Sequence, residues 1–157
     1  MSASDDRFVK IGIRDDDGDV ETTWAEPLGG NLYRVDNTPF FAYRLSADDV
    51  VEALPESDGL LFFKRVVRKS GHRTVRAMLA EPSHVEPGPT LLADIQRMGC
   101  TYEGAVSKLI CIDVPPAVSL DAVAEHLTAM GLEWEYADPT YEDLFPDDGD
   151  AAAESAR

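Results

Sequence analysis

The chain has 157 residues, 44% of them apolar, which is enough for one domain with a buried core. Its 30 acidic residues against 14 basic ones give a formal charge of −16, and a field of that sign repels nucleic acid and anionic membranes, so nucleic acid is an unfavourable partner. The sequence shows neither a signal-peptide pattern nor an apolar run long enough to span a bilayer, and we expect a cytoplasmic protein without a membrane segment.

The distribution of apolar residues predicts polar ends and a two-part body. Residues 1–7 and 142–157 carry little apolar periodicity, so we expect a flexible N-terminus and a disordered acidic tail. Between them, residues 8–80 are typical of a β-rich half and residues 81–141 of an α/β half. We expect the two halves to pack as one structural unit of the α+β class.

The predicted β-rich half consists of short runs of β-forming residues separated by turn signals. Aspartates and a glycine at 15–19 predict one turn, Gly29-Gly30 predicts a tight hairpin, and Ser70-Gly71 predicts another. The predicted strands cover residues 8–14, 20–26, 31–35, 40–45, 50–54, 60–69 and 73–80. This pattern favours a small, bent antiparallel β-sheet or a partly closed barrel, which limits exposed edges.

The hydrophobic period becomes helical after Pro82. Apolar spacing predicts a first helix over residues 91–98, with Thr90 as its cap. A second helix is predicted over residues 120–130, with Ser119 as its cap. Further strands are predicted at residues 107–114 and 132–137. If residues 102–106 add one more strand, this two-helix half becomes ferredoxin-like.

Three segments of the chain resemble a known family. They are TWAEPLGGNLYRVDNTPFFAY (residues 23–43), DDVVEA (48–53) and SGHRTVRAML (70–79). Their order and spacing resemble a bacterial family catalogued as domain of unknown function 4265, over about residues 20–140. The positions most like its motifs are Asn37, Pro39, Phe40, Ser70, Gly71, His72, Thr74 and Arg76. The resemblance implies a fold outline, and it implies no activity, cofactor or catalytic residue.

A basic segment without a single acid interrupts this acidic chain at residues 64–76. If Ser70 and Gly71 form a two-residue loop, the flanking strands set two pairs of arginines directly opposite each other. The pairs are Arg68 with Arg73 and Arg65 with Arg76. Opposed like charges destabilise a β ladder by roughly a few tenths of a kcal/mol each. We therefore expect an anion to lie between the arginines.

Two sources of this anion are open. One is internal, because carboxylates elsewhere on the fold can pair with the arginines. The other is external: guanidinium groups, the serine hydroxyl, the turn N–H groups and a pH-sensitive histidine hold an anionic small molecule or an acidic segment of a protein partner. Under the external hypothesis the ligand-binding residues are Arg65, Arg68, Ser70, Gly71, His72, Arg73 and Arg76.

Aromatic residues define a second surface of interest. Phe40 and Phe41 are adjacent, so on a strand they point to opposite faces. Either both faces are packed, or one ring forms the wall of a ligand or peptide groove. Trp24, on a nearby predicted strand, can join the same wall.

The sequence lacks the usual patterns for catalysis, metals and cofactors. Its three histidines stand far apart, and it contains no nucleophile motif and no phosphate-binding glycine–lysine loop. The acidic run at 15–19 has its glycine in the wrong place for a calcium loop. Cys100 and Cys111 are expected to be reduced and packed. We therefore expect no metal site, no cofactor and no catalytic residue.

Three functions fit these features. The first is a binding module that engages an anionic ligand or acidic partner segment through the basic hairpin. The second is an immunity or antitoxin-type protein that caps a basic partner with its acidic surface. The third is a small enzyme whose site is assembled from dispersed residues.

Overall fold

A computed structural model describes residues 7–104 and 107–146. In these residues nine strands form a barrel and a second sheet, and the chain also forms three helices. This content of strands and helices confirms the α+β class. The strands are β1 (Val9–Arg14), β2 (Val20–Gly29), β3 (Leu32–Val35), β4 (Val50–Pro55), β5 (Leu61–Arg68), β6 (Arg73–Met78), β7 (Thr101–Glu103), β8 (Leu109–Val114) and β9 (Glu133–Asp138). The helices are α1 (Gly88–Arg97), α2 (Leu120–Ala129) and α3 (Tyr141–Leu144). Most of the predicted N-terminal and C-terminal tails lies outside the described residues.

Strands β1 to β5 close into a barrel, which is one of the two predicted forms of the β-rich half. The closure is a parallel contact of β1 with β5, in which Gly12 pairs with Phe62. The position suits glycine because a Cβ on Gly12 would stand 2.7 Å from the Phe62 ring. The small interior is filled by Ile11, Ala25, Val35, Leu45, Val51 and Ala53.

The second sheet has the strand order β7-β8-β6-β9, and every neighbouring pair is antiparallel. Combined with the chain order β6-α1-β7-β8-α2-β9, this is the ferredoxin-like arrangement. Leu91 and Ile95 of α1 pack with Val123 and Leu127 of α2 and with the central strands in one core. Strand β7 is the extra strand on which the ferredoxin-like prediction depended, and residues 105 and 106 lie outside the described part of the chain.

The helix starts agree with the sequence at α2 and differ from it at α1. The Ser119 hydroxyl accepts a first-turn N–H of α2 at 3.1 Å, as predicted. Helix α1 begins at Gly88, before the predicted cap Thr90, because Pro89 is compatible with a first helical turn. Within the described residues, no helix has the length and apolar character that crossing a membrane requires.

The hairpin predicted at Ser70-Gly71 does not form. Strand β5 belongs to the barrel and β6 to the second sheet, so the two share no ladder. Strand β5 is already paired with β4 and β1, and β6 lies between β8 and β9. Neither strand has a free edge for the other, and the arginines are therefore not opposed. The predicted boundary at residue 80 also places β6 with the wrong set of strands.

The strand predicted at residues 40–45 is also wrong. Residues 36–49 form an irregular loop between β3 and β4. Within residues 39–42, backbone N–H and C=O groups bond the side chains of Glu21 and Arg76, whereas in a strand they would pair with a neighbouring strand.

The chain remains ordered further towards its C-terminus than the sequence predicts. Helix α3 lies within the range 142–157 that was expected to be a disordered tail, apart from its first residue. The Thr140 hydroxyl accepts the Asp143 N–H, and the Asp143 carboxylate accepts the Thr140 N–H. This capping box is a sequence signal for a helix start, which apolar periodicity does not detect in so short an element.

Candidate binding cleft

Lys69 of the basic segment is fastened to two acids where the barrel meets the second sheet. Its Nζ lies 2.5 Å from a carboxylate oxygen of Asp49 and 2.6 Å from one of Asp138. Both aspartates are buried. The buried Ser46 hydroxyl donates a further hydrogen bond to Asp138 at 2.5 Å. Lys69 is therefore a structural cation that joins the linker between β5 and β6 to both parts of the fold.

In the turn at Ser70-Gly71, the N–H and hydroxyl groups of Ser70 form hydrogen bonds with other parts of the protein. The Ser70 N–H donates to Asp49 at 2.8 Å, and the Ser70 hydroxyl donates to the Ala47 carbonyl at 2.7 Å. Gly71 has a φ of 95° and packs against the Pro116 ring. These groups are not available to cradle an anion.

His72 and Arg73 also contact groups of the fold. His72 Nδ1 lies 2.9 Å from the carboxylate of Asp113, and burial raises the pKa of that carboxyl group. The Arg73 guanidinium donates to the backbone carbonyls of Pro115 and Val118 at 2.7 and 2.5 Å. The Arg73 guanidinium is thus bonded to carbonyl groups and the His72 imidazole to a carboxylate. Both side chains have hydrogen-bond partners within the protein and need no ligand for this.

Arg65 and Arg68 lie on the surface of the barrel. Arg65 Nε is 3.2 Å from Glu52 on the adjacent strand β4. The Arg68 side chain is exposed, and within residues 7–104 and 107–146 it has no ion pair or hydrogen bond. Apart from Arg68, the arginines of the predicted ligand set thus have internal partners, and the set is divided between the barrel and the second sheet.

Arg76 is the most buried of these arginines, with 3% of its surface exposed. Its guanidinium donates to the backbone carbonyls of Pro39, Phe41 and Ala42. It also lies 3.5 Å from the half-exposed carboxylate of Glu135 on β9. Strand β6 therefore reaches across the fold to hold the 36–49 loop.

Glu21 on β2 bonds the same stretch of loop through its N–H groups. Its carboxylate accepts the N–H groups of Phe40, Phe41 and Ala42 at 2.7, 3.0 and 2.8 Å. Within residues 39–42, Glu21 therefore satisfies three N–H groups and Arg76 satisfies three carbonyl groups. This clamp holds the Phe41 side chain in an outward position, where 64% of the residue is exposed.

A cleft of about 1560 Å³ opens between the barrel and the second sheet, and we call it the binding cleft. Its barrel side consists of the β1–β2 turn at 15–19 and the part of the loop that carries Phe41 and Tyr43. Its other side consists of β9 and α3. The clamped loop therefore forms one wall and the last described elements form the other.

Aromatic side chains cover much of the binding cleft: Phe41, Tyr43, Phe63, Trp134, Tyr136, Tyr141 and Phe145. The Tyr136 ring centroid lies 4.8 Å from that of Trp134 and 6.3 Å from that of Phe145. On the opposite wall, Phe41 and Tyr43 are 64% and 52% exposed. Exposed rings on both walls offer flat apolar faces with negative π-density to an incoming group.

The charge of the binding cleft is negative. Its acidic lining residues are Asp15, Asp16, Asp17, Asp19, Glu21, Glu135 and Glu142. The two basic lining residues in the described chain are Arg14, which lies 3.1 Å from Glu56, and Arg44, which lies 3.0 Å from Asp143. Hydrogen bonds to these carboxylates raise the pKa of both arginines. Because both cations are already paired, the remaining carboxylates set the local charge.

The acidic run at 15–19 forms the predicted turn. Asp15 Oδ1 accepts the N–H groups of Asp17 and Asp19, both at 2.9 Å, and Gly18 has a φ of 88°. In the part of the chain that the structure describes, no group of three or more His, Cys, Asp and Glu side chains is placed to hold a metal ion. The turn therefore contributes carboxylates to one rim of the cleft.

The tyrosine on the loop wall is a fixed hydrogen-bond donor. The Tyr43 hydroxyl donates to Glu135 across the cleft at 2.9 Å. Burial raises the pKa of the Tyr43 phenol, and the Glu135 bond raises it further. Its ring also lies 5.1 Å from the Arg76 guanidinium carbon. Loop and β9 are thus tied together at the base of the cleft.

The predicted aromatic wall is divided by the clamped loop. Phe41 lines the binding cleft, whereas Trp24 and Phe40 line a second hollow of about 200 Å³. Glu21 borders both cavities, because its carboxylate lies under the loop that separates them. The structure therefore brings one of the three predicted aromatic residues into the larger site.

Sequence patterns do not single out the aromatic residues of the second wall. Trp134 and Tyr136 alternate with glutamates, which is typical of an ordinary half-buried strand. Phe145 falls in the range 142–157 that is predicted as a tail, and Tyr141 is the last residue before that range. Tyr141 and Phe145 are four residues apart, a spacing that brings two side chains together on one face of a helix. Together with the capping box, this spacing is a sequence signal for a short helix.

Cys100 and Cys111 are unpaired and buried, as predicted. Burial raises the pKa of each thiol to about 11, so the reactive thiolate is scarce at neutral pH. Neither thiol is among the described residues that line the binding cleft.

Residues 21–136 match the family described as domain of unknown function (DUF4265), and this match covers more than half of the chain. The chain belongs to this family. The match confirms the resemblance in the sequence. Among curated proteins, none matches the chain significantly.

A solved structure supports the same fold. The chain is similar to a protein whose structure is described as a novel crystal structure of a hypothetical protein from Neisseria gonorrhoeae. The two share 18% sequence identity with a TM-score of 0.66, over 85% of this chain and 96% of that one. At this identity the similarity concerns the fold alone.

The family match contains the clamp and the part of the second wall that β9 forms up to Tyr136. Glu21, the 36–49 loop, Arg76 and the first part of β9 lie within residues 21–136. The acidic turn at 15–19 and helix α3 lie outside that range. The part of the chain that matches the family therefore builds the base of the binding cleft, and flanking segments build its two rims.

Proposed function

We propose that this protein is a non-catalytic binding module that takes a cationic segment of a protein partner into the binding cleft. The observation that supports this most is the combination of exposed rings at Phe41 and Tyr43 with carboxylates that the cleft's two paired arginines do not balance. Lysine and arginine side chains are attracted both to aromatic faces and to carboxylates. A partner that offers both charges and aliphatic stems would use the whole surface.

A partner-neutralising role of the immunity or antitoxin kind is one setting for such capture. The chain has a formal charge of −16, which accelerates encounter with a basic protein and disfavours acidic competitors. We also propose, from the sequence, that it acts in the cytoplasm.

The other two hypotheses have weaker geometric support. Capture of an anion by the basic segment would depend on Arg68, since the other arginines of that set are bonded to the protein itself. For catalysis, the one aliphatic hydroxyl among the described residues lining the cleft belongs to Thr140, which caps α3. Binding of a cation therefore fits the available groups best.

A short peptide of alternating lysine and valine residues, blocked at both ends, tests the proposal. In a Trp24→Phe background Trp134 is the remaining tryptophan, so its fluorescence reports on the binding cleft. We expect a saturable change that weakens as salt is added, because exposed charges are screened. A matched peptide of alternating glutamate and valine residues is expected to cause no change.

The variant Phe41→Ala is expected to weaken binding of the lysine peptide by about tenfold, because it removes an exposed aromatic face from the loop wall. Arg68→Gln is the matched control, and it should leave the affinity unchanged. Titration calorimetry on both variants measures the effect. If the glutamate peptide binds the original protein and this binding is lost in Arg68→Gln, the result would contradict the proposal and support anion capture by the basic segment.

A further inference from the structure

Strand β9 is an edge strand whose free side opens into the binding cleft. It pairs with β6 on one side, and the strand order ends at β9 on the other. On the free side, the Ala137 carbonyl accepts the Arg44 N–H at 2.9 Å and Ala137 forms an isolated bridge with Thr140. For Glu133 to Tyr136, the described residues provide no backbone partner other than β6. The outward N–H and C=O groups of that stretch are thus available to a new strand.

The cleft follows this edge, because side chains from both faces of β9 line it. Glu135 points to the face shared with the clamp, where it contacts Tyr43 and Arg76. Trp134 and Tyr136 point to the opposite face, where they pack against the helical core. An extended chain lying along the edge would therefore have Glu135 on one side and two aromatic rings on the other.

We propose that the cationic partner segment binds as an added β-strand on the free edge of β9. This inference rests on the proposed function and specifies its mode of binding. Backbone hydrogen bonds to Glu133–Tyr136 supply part of the affinity, and alternate side chains of the segment contact the two faces of the cleft. The bridge between Ala137 and Thr140 ends the available edge, so the added strand is short.

Charge decides between a foreign strand and a second copy of this chain. Glu133 and Glu135 are both exposed on β9, and two such edges side by side would oppose like charges. The same carboxylates favour lysine or arginine on an incoming strand. Acidic side chains on an edge also limit self-association, a common device of edge strands. The occupant that fits is therefore a basic extended peptide.

Backbone methylation of the lysine–valine peptide distinguishes strand addition from looser capture. In a strand, the N–H groups of alternate residues point to opposite edges. One isomer carries methyl groups on the backbone nitrogens of its lysine residues, and the other carries them on the backbone nitrogens of its valine residues. The two isomers have the same composition and charge. We expect their dissociation constants to differ by about tenfold or more, because one isomer loses its hydrogen bonds to β9.

Hydrogen exchange gives an independent reading on the unmodified full chain. When the unmethylated peptide saturates the protein, outward amides within Glu133–Tyr136 should exchange about tenfold more slowly or better. Equal affinities of the two methylated isomers, with no added protection of these amides, would overturn strand addition and leave the proposed function intact. Failure of the unmethylated peptide to bind would overturn both. Protection of the same amides by a peptide-free dimer would overturn the choice of occupant.

Discussion

Replacing Arg76 with methionine is expected to lower the free energy of unfolding by about 3–5 kcal/mol. The guanidinium is buried, and its loss would leave the carbonyls of Pro39 and Ala42 without their donor. Each orphaned buried acceptor costs roughly 1–3 kcal/mol. The half-exposed pair with Glu135 adds little, since solvent screens it.

Urea unfolding followed by tryptophan fluorescence measures this effect. Arg68→Met is the matched control, because the Arg68 side chain is exposed and has no ion-pair or hydrogen-bond partner among the described residues. It should change the free energy of unfolding by no more than about 0.5 kcal/mol. If both variants lose the same small amount, the clamp on the loop is not a stabilising contact and the assignment of Arg76 is wrong.

Replacing Lys69 with methionine is the second large effect, with an expected loss of about 2–4 kcal/mol. The change removes the cation between two buried carboxylates, Asp49 and Asp138. The lysine side chain is 45% exposed, so water replaces part of the lost interaction. The expected loss in the free energy of unfolding is therefore smaller than that of the Arg76 variant. Backbone N–H groups of Ser46 and Ser70 still stabilise Asp49.

A double variant separates the ionic contribution from lost packing. Lys69→Met with Asp138→Asn should recover at least about 1 kcal/mol relative to Lys69→Met alone, because one uncompensated buried charge is gone. Lys64→Met is the control for the basic segment, since its ion pair with Glu56 at 3.6 Å is partly exposed. No recovery in the double variant would show that the charges of this junction do not interact.

The sequence predicts strands β8 and β9 and helices α1 and α2 well because their signals are local. The alternation of residues 132–137, the cap at Ser119 and the apolar stripes of both helices are confirmed in place. The turn at 15–19 is likewise confirmed, and the hairpin predicted at Gly29-Gly30 forms with its turn one residue later, at Gly30-Asn31. Each of these depends on residues that are neighbours in the chain.

The basic hairpin fails because strand pairing is decided by distant residues. A Ser-Gly turn between two β-like runs predicts a hairpin, yet β5 finds partners at β1 and β4 and β6 finds them at β8 and β9. A central strand is buried on both faces, so Arg76 is buried although its sequence neighbours in the segment are basic. Local charge counting cannot detect that burial.

The binding cleft is missed for the same reason. Its two walls come from the loop near Phe41 and from β9, which are far apart in sequence and are joined through the clamp, Tyr43 and Arg44. Of the predicted aromatic wall, only the choice of Phe41 leads to this site. The acidity of the chain is visible in the composition, but its concentration beside exposed rings is a property of the fold.

The most direct test of cation capture is a map of backbone amide shifts in the isotope-labelled protein, titrated in parallel with the lysine–valine and glutamate–valine peptides. We predict that the lysine peptide perturbs β9, the 36–49 loop and the turn at 15–19, and that the glutamate peptide perturbs nothing. Shifts that cluster around Arg65, Arg68 and Arg73 with the glutamate peptide, and an undisturbed cleft with the lysine peptide, would contradict the account.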